Sequence, residues 1–130
     1  MYALDTNVLV RYIVQDDKEQ AQKAARAIER LTSEDRAFIP CIVLCEVNRV
    51  LKTAYKVSKE ERLAALKKII SVAAFDVERL ECCTKALKSY EKGHADFSDY
   101  LIREIAQYEG YDTVLTFDEK AQKDSGFQSP

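Results

Sequence analysis

Four short apolar segments interrupt a chain whose remaining length follows helical periodicity. They are MYAL, AFI, FDV and TVLTF, at residues 1–4, 37–39, 75–77 and 113–117. The fourth segment is apolar and rich in β-branched residues, which makes it the clearest strand. Strands that alternate with helices predict an α/β sandwich around a small, mostly parallel sheet. Ligands of such sheets bind beyond the carboxyl ends of the strands, so polar residues that follow a strand become candidates for function.

The segments between these strands have apolar residues every three or four positions, the spacing of amphipathic helices. Pro40 suits the start of one helix, and Ser58 with Glu61 has the capping-box pattern that begins another. Gly93 and Gly110 are expected to end two helices as C-terminal caps. After a short first helix, the predicted helices cover residues 16–31, 41–55, 58–73, 78–92 and 96–110.

The composition predicts a single domain over residues 1–130. With 47 % apolar and 32 % charged residues, the chain has ordinary globular values. Its apolar stretches are too short to cross a membrane, and its first residues do not form a signal peptide. We therefore expect a cytoplasmic protein. Acidic side chains number 22 against 20 basic ones, so binding of nucleic acid would need a local basic rim or bound cations.

The cysteines do not form a recognisable metal-binding motif. They are Cys41, Cys45, Cys82 and Cys83, without a CxxC pair, and the single histidine, His94, lies apart from them. Buried thiols in a reducing compartment are therefore expected. A zinc site is the alternative.

Five acidic residues lie at predicted strand and helix ends. Asp5 follows the first strand and Asp118 follows the fourth, and parallel strands would place both at one edge of the sheet. Asp96 and Asp99 begin the helix that precedes the last strand. Glu46 lies early in the helix that follows the second strand. These carboxylates could therefore converge at one end of the domain.

Each of these polar residues also has a purely structural interpretation. Glu46 could pair with Arg49 one turn further along its helix. The others could be helix caps: Asp5, Thr6 or Asn7 for the first helix, and the capping-box pairs Asp96 with Asp99 and Thr116 with Glu119. Their combination favours a metal site, because carboxylates held close together repel each other unless protons or cations compensate.

Oxygen ligands of this kind suit Mg²⁺ or Mn²⁺ rather than zinc. Two such ions about 4 Å apart can activate a water molecule and hold the leaving oxygen of a phosphodiester. No histidine or lysine is then needed as a base. Thr6, Asn7 and Thr116 would orient the carboxylates through hydroxyl and amide groups.

Four motifs together resemble the PIN domain, and specifically the VapC-type toxins of toxin–antitoxin pairs. They are LDTNVLVR, IVLCEVNRVL, GHADFSDYLI and VLTFDEKAQK, and in this order they cover nearly the whole chain. The resemblance implies a PIN-like three-layer α/β/α sandwich with a small, mostly parallel central sheet. It also implies an endoribonuclease that uses Mg²⁺ or Mn²⁺ to hydrolyse RNA.

Carried over residue by residue, the resemblance implies that Asp5, Glu46, Asp99 and Asp118 are the catalytic acids of the metal site. It makes Asp96 a fifth metal-site residue and Thr116 a supporting hydroxyl. It further implies a homodimer that a small antitoxin protein neutralises. An RNA-facing surface would have to come from basic residues that could equally be solvated surface: Arg11, Arg49, Lys52, Lys56, Lys120 and Lys123.

The sequence departs from the family pattern in its tail, where the usual final strand is expected to be weak or missing. Other enzyme classes fit less well. Aspartate-nucleophile phosphatases need a second aspartate two residues after the first, where this chain has Asn7. A receiver domain needs an early acidic pair and a late lysine, and the chain lacks this pattern. The alternative within the family is an inactive PIN scaffold that binds RNA or a protein.

Overall fold

A computed structural model describes every residue from Met1 to Pro130 and contains seven helices and five strands. Its backbone divides into two compact units, Met1–Glu78 and Arg79–Pro130. Each unit has its own helices and its own parallel sheet.

The first unit is built around a three-stranded parallel sheet. The strand order is β1-β2-β3, with Tyr2 opposite Ala37 and Ala37 opposite Phe75. Helix α1 packs against α2 and α3, and α3 packs against α4. The elements of this unit are β1 (Tyr2–Ala3), α1 (Thr6–Val14), α2 (Lys18–Glu29), β2 (Ala37–Ile39), α3 (Cys41–Thr53), α4 (Lys59–Ser71) and β3 (Phe75–Val77). The predicted strands and helices of this half are confirmed.

The second unit is a pair of packed helices followed by a short two-stranded parallel sheet. Helix α5 packs against α6, and β4 pairs with β5. Its elements are α5 (Leu80–Lys92), α6 (Phe97–Tyr108), β4 (Val114–Leu115), α7 (Glu119–Gln122) and β5 (Phe127–Gln128). The final strand exists as two residues, in keeping with the expectation of a weak one.

The strand predicted at residues 113–117 is confirmed, although it covers only Val114–Leu115. The expectation of one sheet that includes this strand is wrong, because its hydrogen-bonding partner is β5. The strand ends early because the chain turns at Thr116, whose hydroxyl accepts a 3.0 Å hydrogen bond from the Asp118 N–H. For the same reason Thr116 and Glu119 do not form a capping box. Asp118 caps the following helix instead.

The predicted helix ends are largely confirmed, but one of them ends for a different reason. The Ser58 hydroxyl accepts a 3.2 Å hydrogen bond from the Glu61 N–H, and Gly110 ends its helix with φ +92°. Gly93 ends α5 with φ −98°, which any residue can adopt. Glycine is required there because a Cβ would lie 1.8 Å from the Tyr100 hydroxyl oxygen.

Cys82 and Cys83 are buried, as expected, and burial raises the pKa of the Cys82 thiol. Cys41 and Cys45 are half-buried, and no disulfide joins any of the four. None of the helices combines the length and the hydrophobicity that a membrane span requires.

Candidate active site

Asp5 lies between β1 and α1, at the position of a helix cap that its side chain does not fill. The backbone carbonyl of Asp5 accepts hydrogen bonds from the Val8 and Leu9 N–H groups. Its carboxylate makes no capping hydrogen bond and is exposed. The side chain of Asp5 therefore does not cap α1, because the oxygen of a capping side chain would accept a hydrogen bond from one of the first helical N–H groups.

Thr6 and Asn7 follow Asp5 in the first turn of α1. Thr6 is only 5 % exposed, and its Oγ1 has no hydrogen-bond partner. A buried hydroxyl without a partner is unfavourable, so such an atom indicates a place for a bound water or ligand. Asn7 is exposed and lines an open groove of about 340 Å³ between α1 and α2. Glu46 is half-buried on α3, beside the buried residues Val47 and Asn48.

Asp96 and Asp99 form a capping box at the start of α6. Asp96 Oδ1 accepts a 2.8 Å hydrogen bond from the Phe97 N–H, and Asp99 Oδ2 accepts a 3.2 Å hydrogen bond from the Asp96 N–H. The structural interpretation of Asp96 is thus confirmed. The hydrogen bond from the Asp96 N–H fixes the Asp99 side chain through one of its two carboxylate oxygens.

Asp118 is the N-cap of α7. Its Oδ1 accepts hydrogen bonds from the Lys120 N–H at 2.9 Å and the Ala121 N–H at 3.4 Å. Two backbone donors on one oxygen hold the carboxylate in a defined orientation. Thr116 also stabilises this turn, because its hydroxyl accepts a hydrogen bond from the Asp118 N–H.

Asp118 lies near enough to Asp99 for its charge to act on the Asp99 carboxyl group. Burial raises the pKa of Asp99, and the hydrogen bond from the Asp96 backbone lowers it. The nearby charges of Asp118 and Asp96 raise the pKa of Asp99 further. Neighbouring carboxylates repel each other, and a proton or a cation relieves that repulsion. This pair is the part of the predicted acid cluster that the second unit brings together.

The chemistry of these side chains fits a hard divalent cation. Neither carboxylate oxygen of Asp5 makes a capping hydrogen bond. Asp99 and Asp118 each use one oxygen to accept hydrogen bonds from backbone N–H groups. The remaining oxygens are the donors that Mg²⁺ and Mn²⁺ prefer. Within neither unit, however, do three Asp, Glu, His or Cys side chains form a ready-made metal-binding group.

Comparison with known proteins assigns the chain to a family. Residues 2–125 match the model of the PIN domain. This chain is a PIN domain. The match spans both compact units and confirms the predicted PIN-like α/β fold class. A similar protein is the VapC ribonuclease of Aquifex aeolicus (strain VF5), which is 27 % identical over 124 residues, 95 % of this chain and 91 % of that protein.

The basic residues proposed for RNA binding differ in their surroundings in this PIN domain. Arg11 is held by its neighbours: Nη1 donates to Asp16 and to the Tyr55 hydroxyl, each at 2.9 Å, and Nε donates to Gln20 at 2.6 Å. Arg11 therefore ties α1 to the segments around it. The other predicted RNA-binding residues are exposed: Arg49, Lys52, Lys56, Lys120 and Lys123.

Tyr100 and Asp124 are not among the predicted site residues, yet they connect the two segments that carry Asp99 and Asp118. The Tyr100 hydroxyl donates a short hydrogen bond to Asp124. Tyr100 follows Asp99 directly and has the pattern of an ordinary core residue. Its one sequence signal is Gly93, which is needed to make room for the hydroxyl.

Proposed function

We propose that this PIN domain is a metal-dependent endoribonuclease, the toxin component of a type II toxin–antitoxin pair. The observation that carries the proposal is that Asp99 and Asp118, both oriented by backbone N–H donors, belong to one unit, where burial first and then the charge of Asp118 raise the pKa of Asp99. A protein gains nothing in stability by holding two carboxylates together, so the pair is better explained by a cation. The similarity to a protein named VapC ribonuclease supports RNA as the substrate.

The proposal gives each acid a role. Asp5, Glu46, Asp99 and Asp118 hold Mg²⁺ or Mn²⁺. Asp96 acts mainly by capping α6. Its backbone N–H also donates a hydrogen bond to Asp99 Oδ2 and so fixes the Asp99 side chain. Bound divalent ions would activate a water molecule and stabilise the leaving oxygen of the phosphodiester.

Three polar residues that lie close in sequence to Asp5 or Asp118 support those acids. Thr116 holds the turn that presents Asp118. The Thr6 hydroxyl, buried without a partner, is available to a bound water beside Asp5. Asn7 is exposed in the same turn and could orient a ligand from there.

The test is incubation of the purified protein with total RNA in Mg²⁺, in Mn²⁺ and in EDTA, followed by mapping of the cut ends. Because water is the nucleophile, the products should carry 5′-phosphate and 3′-hydroxyl ends, and EDTA should stop cleavage. Asp99→Asn should lose activity, while Asp112→Asn, the same change at an exposed site in the same unit, should cleave normally. Ends with 2′,3′-cyclic phosphate, or full activity in EDTA, would contradict the mechanism.

The same assay separates the enzyme from an inactive PIN scaffold. A scaffold would bind RNA or a protein and leave the RNA intact under all metal conditions. Asp96→Ala tests the fifth acid in that assay. Loss of cleavage in a stably folded Asp96→Ala protein would make Asp96 a ligand, whereas loss of about 1 kcal/mol of stability with cleavage retained would make it a cap.

The proposed partners follow from the same site. An antitoxin would neutralise the enzyme by placing a basic side chain among the carboxylates, since a guanidinium forms paired hydrogen bonds with them. We further propose that the toxin is a homodimer and acts on RNA in the cytoplasm. Sedimentation of the purified protein, alone and with its antitoxin, would establish both assemblies.

A further inference from the structure

The hydroxyl of Tyr100 binds two parts of the second unit at once. Tyr100 follows Asp99 on α6 and is 1 % exposed. Its hydroxyl accepts a 3.3 Å hydrogen bond from the Ala95 N–H, directly before the Asp96 cap. It also donates a short hydrogen bond to the Asp124 carboxylate. One oxygen atom therefore contacts both the start of α6 and the chain after α7.

Asp124 lies two residues beyond α7, the helix that Asp118 caps. The Tyr100–Asp124 bond therefore joins the segment that carries Asp99 to the segment that carries Asp118. The bond lies one residue from Asp99 along α6 and one short helix from Asp118.

Arg103 reinforces the same connection one turn further along α6. It is 8 % exposed, and its Nη1 donates to the Ser125 carbonyl at 3.1 Å. Its guanidinium lies 5.2 Å from the centre of the Tyr100 ring and 5.5 Å from that of Phe127. The aromatic rings of Tyr100 and Phe127 also meet edge to face, with centres 6.2 Å apart. The tail is thus packed against the face of α6 that carries Tyr100.

We infer that Tyr100 and Asp124 are positioning residues that hold the segments carrying Asp99 and Asp118 in place for binding a divalent cation. The inference rests on the proposed function, since it assigns these two acids to a metal site. Without the bond, α7 can shift relative to α6, and the two acids can relax apart. The expected consequence is weaker binding of the cation, not loss of the chemistry once the cation is bound.

The experiment measures Mn²⁺ dependence in variants that remove or restore the bond. Tyr100→Phe and Asp124→Ala should each raise the half-saturating Mn²⁺ concentration about tenfold, for both RNA cleavage and direct Mn²⁺ binding measured by electron paramagnetic resonance. The cleavage rate at saturating Mn²⁺ should stay near that of wild type. Asp124→Asn keeps an oxygen that accepts the Tyr100 hydrogen bond and should restore most of the affinity. The double variant should be no worse than either single one.

Two controls separate positioning from stability. Tyr108→Phe makes the same change on an exposed ring of the same helix and should leave the Mn²⁺ dependence unaltered. Leu87→Ala, in the core of α5, should lower the melting temperature without shifting the Mn²⁺ dependence. If Tyr100→Phe behaves like Leu87→Ala, losing stability with an unchanged Mn²⁺ requirement, the inference is overturned.

Hydrogen exchange of the metal-free protein distinguishes failure of the inference from failure of the proposed function. In Tyr100→Phe, the amides of Ala95 and Ala121 should exchange faster, while those in the middle of α5 should not change. If wild type neither binds Mn²⁺ nor cleaves RNA, the proposed function fails, yet faster exchange at these two amides still supports the connection. Unchanged exchange at both amides would overturn the connection whatever the wild-type activity.

Discussion

At the scale of single residues, the acids of this PIN domain differ in how far the backbone uses their charge. The side chain of Asp96 caps α6, whereas Asp5 occupies the N-cap position of α1 without a capping hydrogen bond. Asp99 and Asp118 each accept backbone hydrogen bonds through one oxygen, and the charge of Asp118 also acts on Asp99. Local capping explains how these side chains are oriented. It does not explain why two acids lie near each other in one unit.

The raised pKa of Asp99 predicts how the stability of the metal-free protein depends on pH. Because the folded protein holds the Asp99 proton more tightly than the unfolded chain, this proton stabilises the fold at low pH. That stabilisation is lost as the pH rises through the folded pKa, above the ordinary carboxyl value of about 4. Asp99→Asn removes this dependence, and its amide oxygen can still accept the Asp96 hydrogen bond.

In EDTA, Asp99→Asn should therefore melt close to wild type in acid and at a higher temperature at neutral pH. Thermal unfolding between acidic and neutral pH would measure the difference. Asp112→Asn, at an exposed carboxylate, should track wild type throughout. A neutral-pH melting temperature of Asp99→Asn below that of wild type would show that the charge of Asp99 stabilises the fold.

At the scale of elements, the helix ends of the second unit depend on two glycines for different physical reasons. Gly110 has φ +92° with no atom near the position of a Cβ. Gly93 has ordinary backbone angles, but a Cβ there would lie 1.8 Å from the Tyr100 hydroxyl oxygen and 2.7 Å from Cζ. One glycine relieves backbone strain, and the other makes room for a side chain.

Alanine substitutions should separate these two causes. Gly110→Ala should cost about 1–2 kcal/mol through its left-handed backbone, and Gly93→Ala about 1–3 kcal/mol through overpacking. In a Tyr100→Phe background the cost of Gly93→Ala should fall, because the closest atom is gone, while that of Gly110→Ala should stay the same. Urea unfolding of the single and double variants measures all four values. Equal costs of Gly93→Ala in both backgrounds would contradict the steric explanation.

At the scale of the whole molecule, the proposed toxin should harm the cell that makes it. Expression of the wild-type chain alone should arrest bacterial growth, and expression of Asp99→Asn should not, because only the intact metal site cleaves RNA. Growth curves with matched levels of soluble protein provide the measurement. Unimpaired growth with abundant, folded wild-type protein would contradict a toxin, although the PIN fold would be unaffected.

The sequence by itself determined the features that depend on near neighbours in the chain. Helix periodicity, the Ser58 cap and the left-handed Gly110 are local, and each is found where the pattern predicts it. The positions of Asp5 and Asp118 shortly after strands, and immediately before helices, are also local facts of the chain. Four motifs in a fixed order then sufficed to identify the PIN family, because order and spacing together are far more specific than any one motif.

Only the tertiary structure decided which of these residues meet. Whether the strand at residues 113–117 pairs with the first sheet or with the tail depends on contacts that no local pattern encodes, and the tail is its partner. The role of Gly93 became visible only when Tyr100 filled the space beside it. Asp118 acts on Asp99 although 18 residues separate them in the chain, and a buried hydroxyl joins their segments through Asp124. Such contacts depend on how helices pack, and packing is a property of the folded molecule.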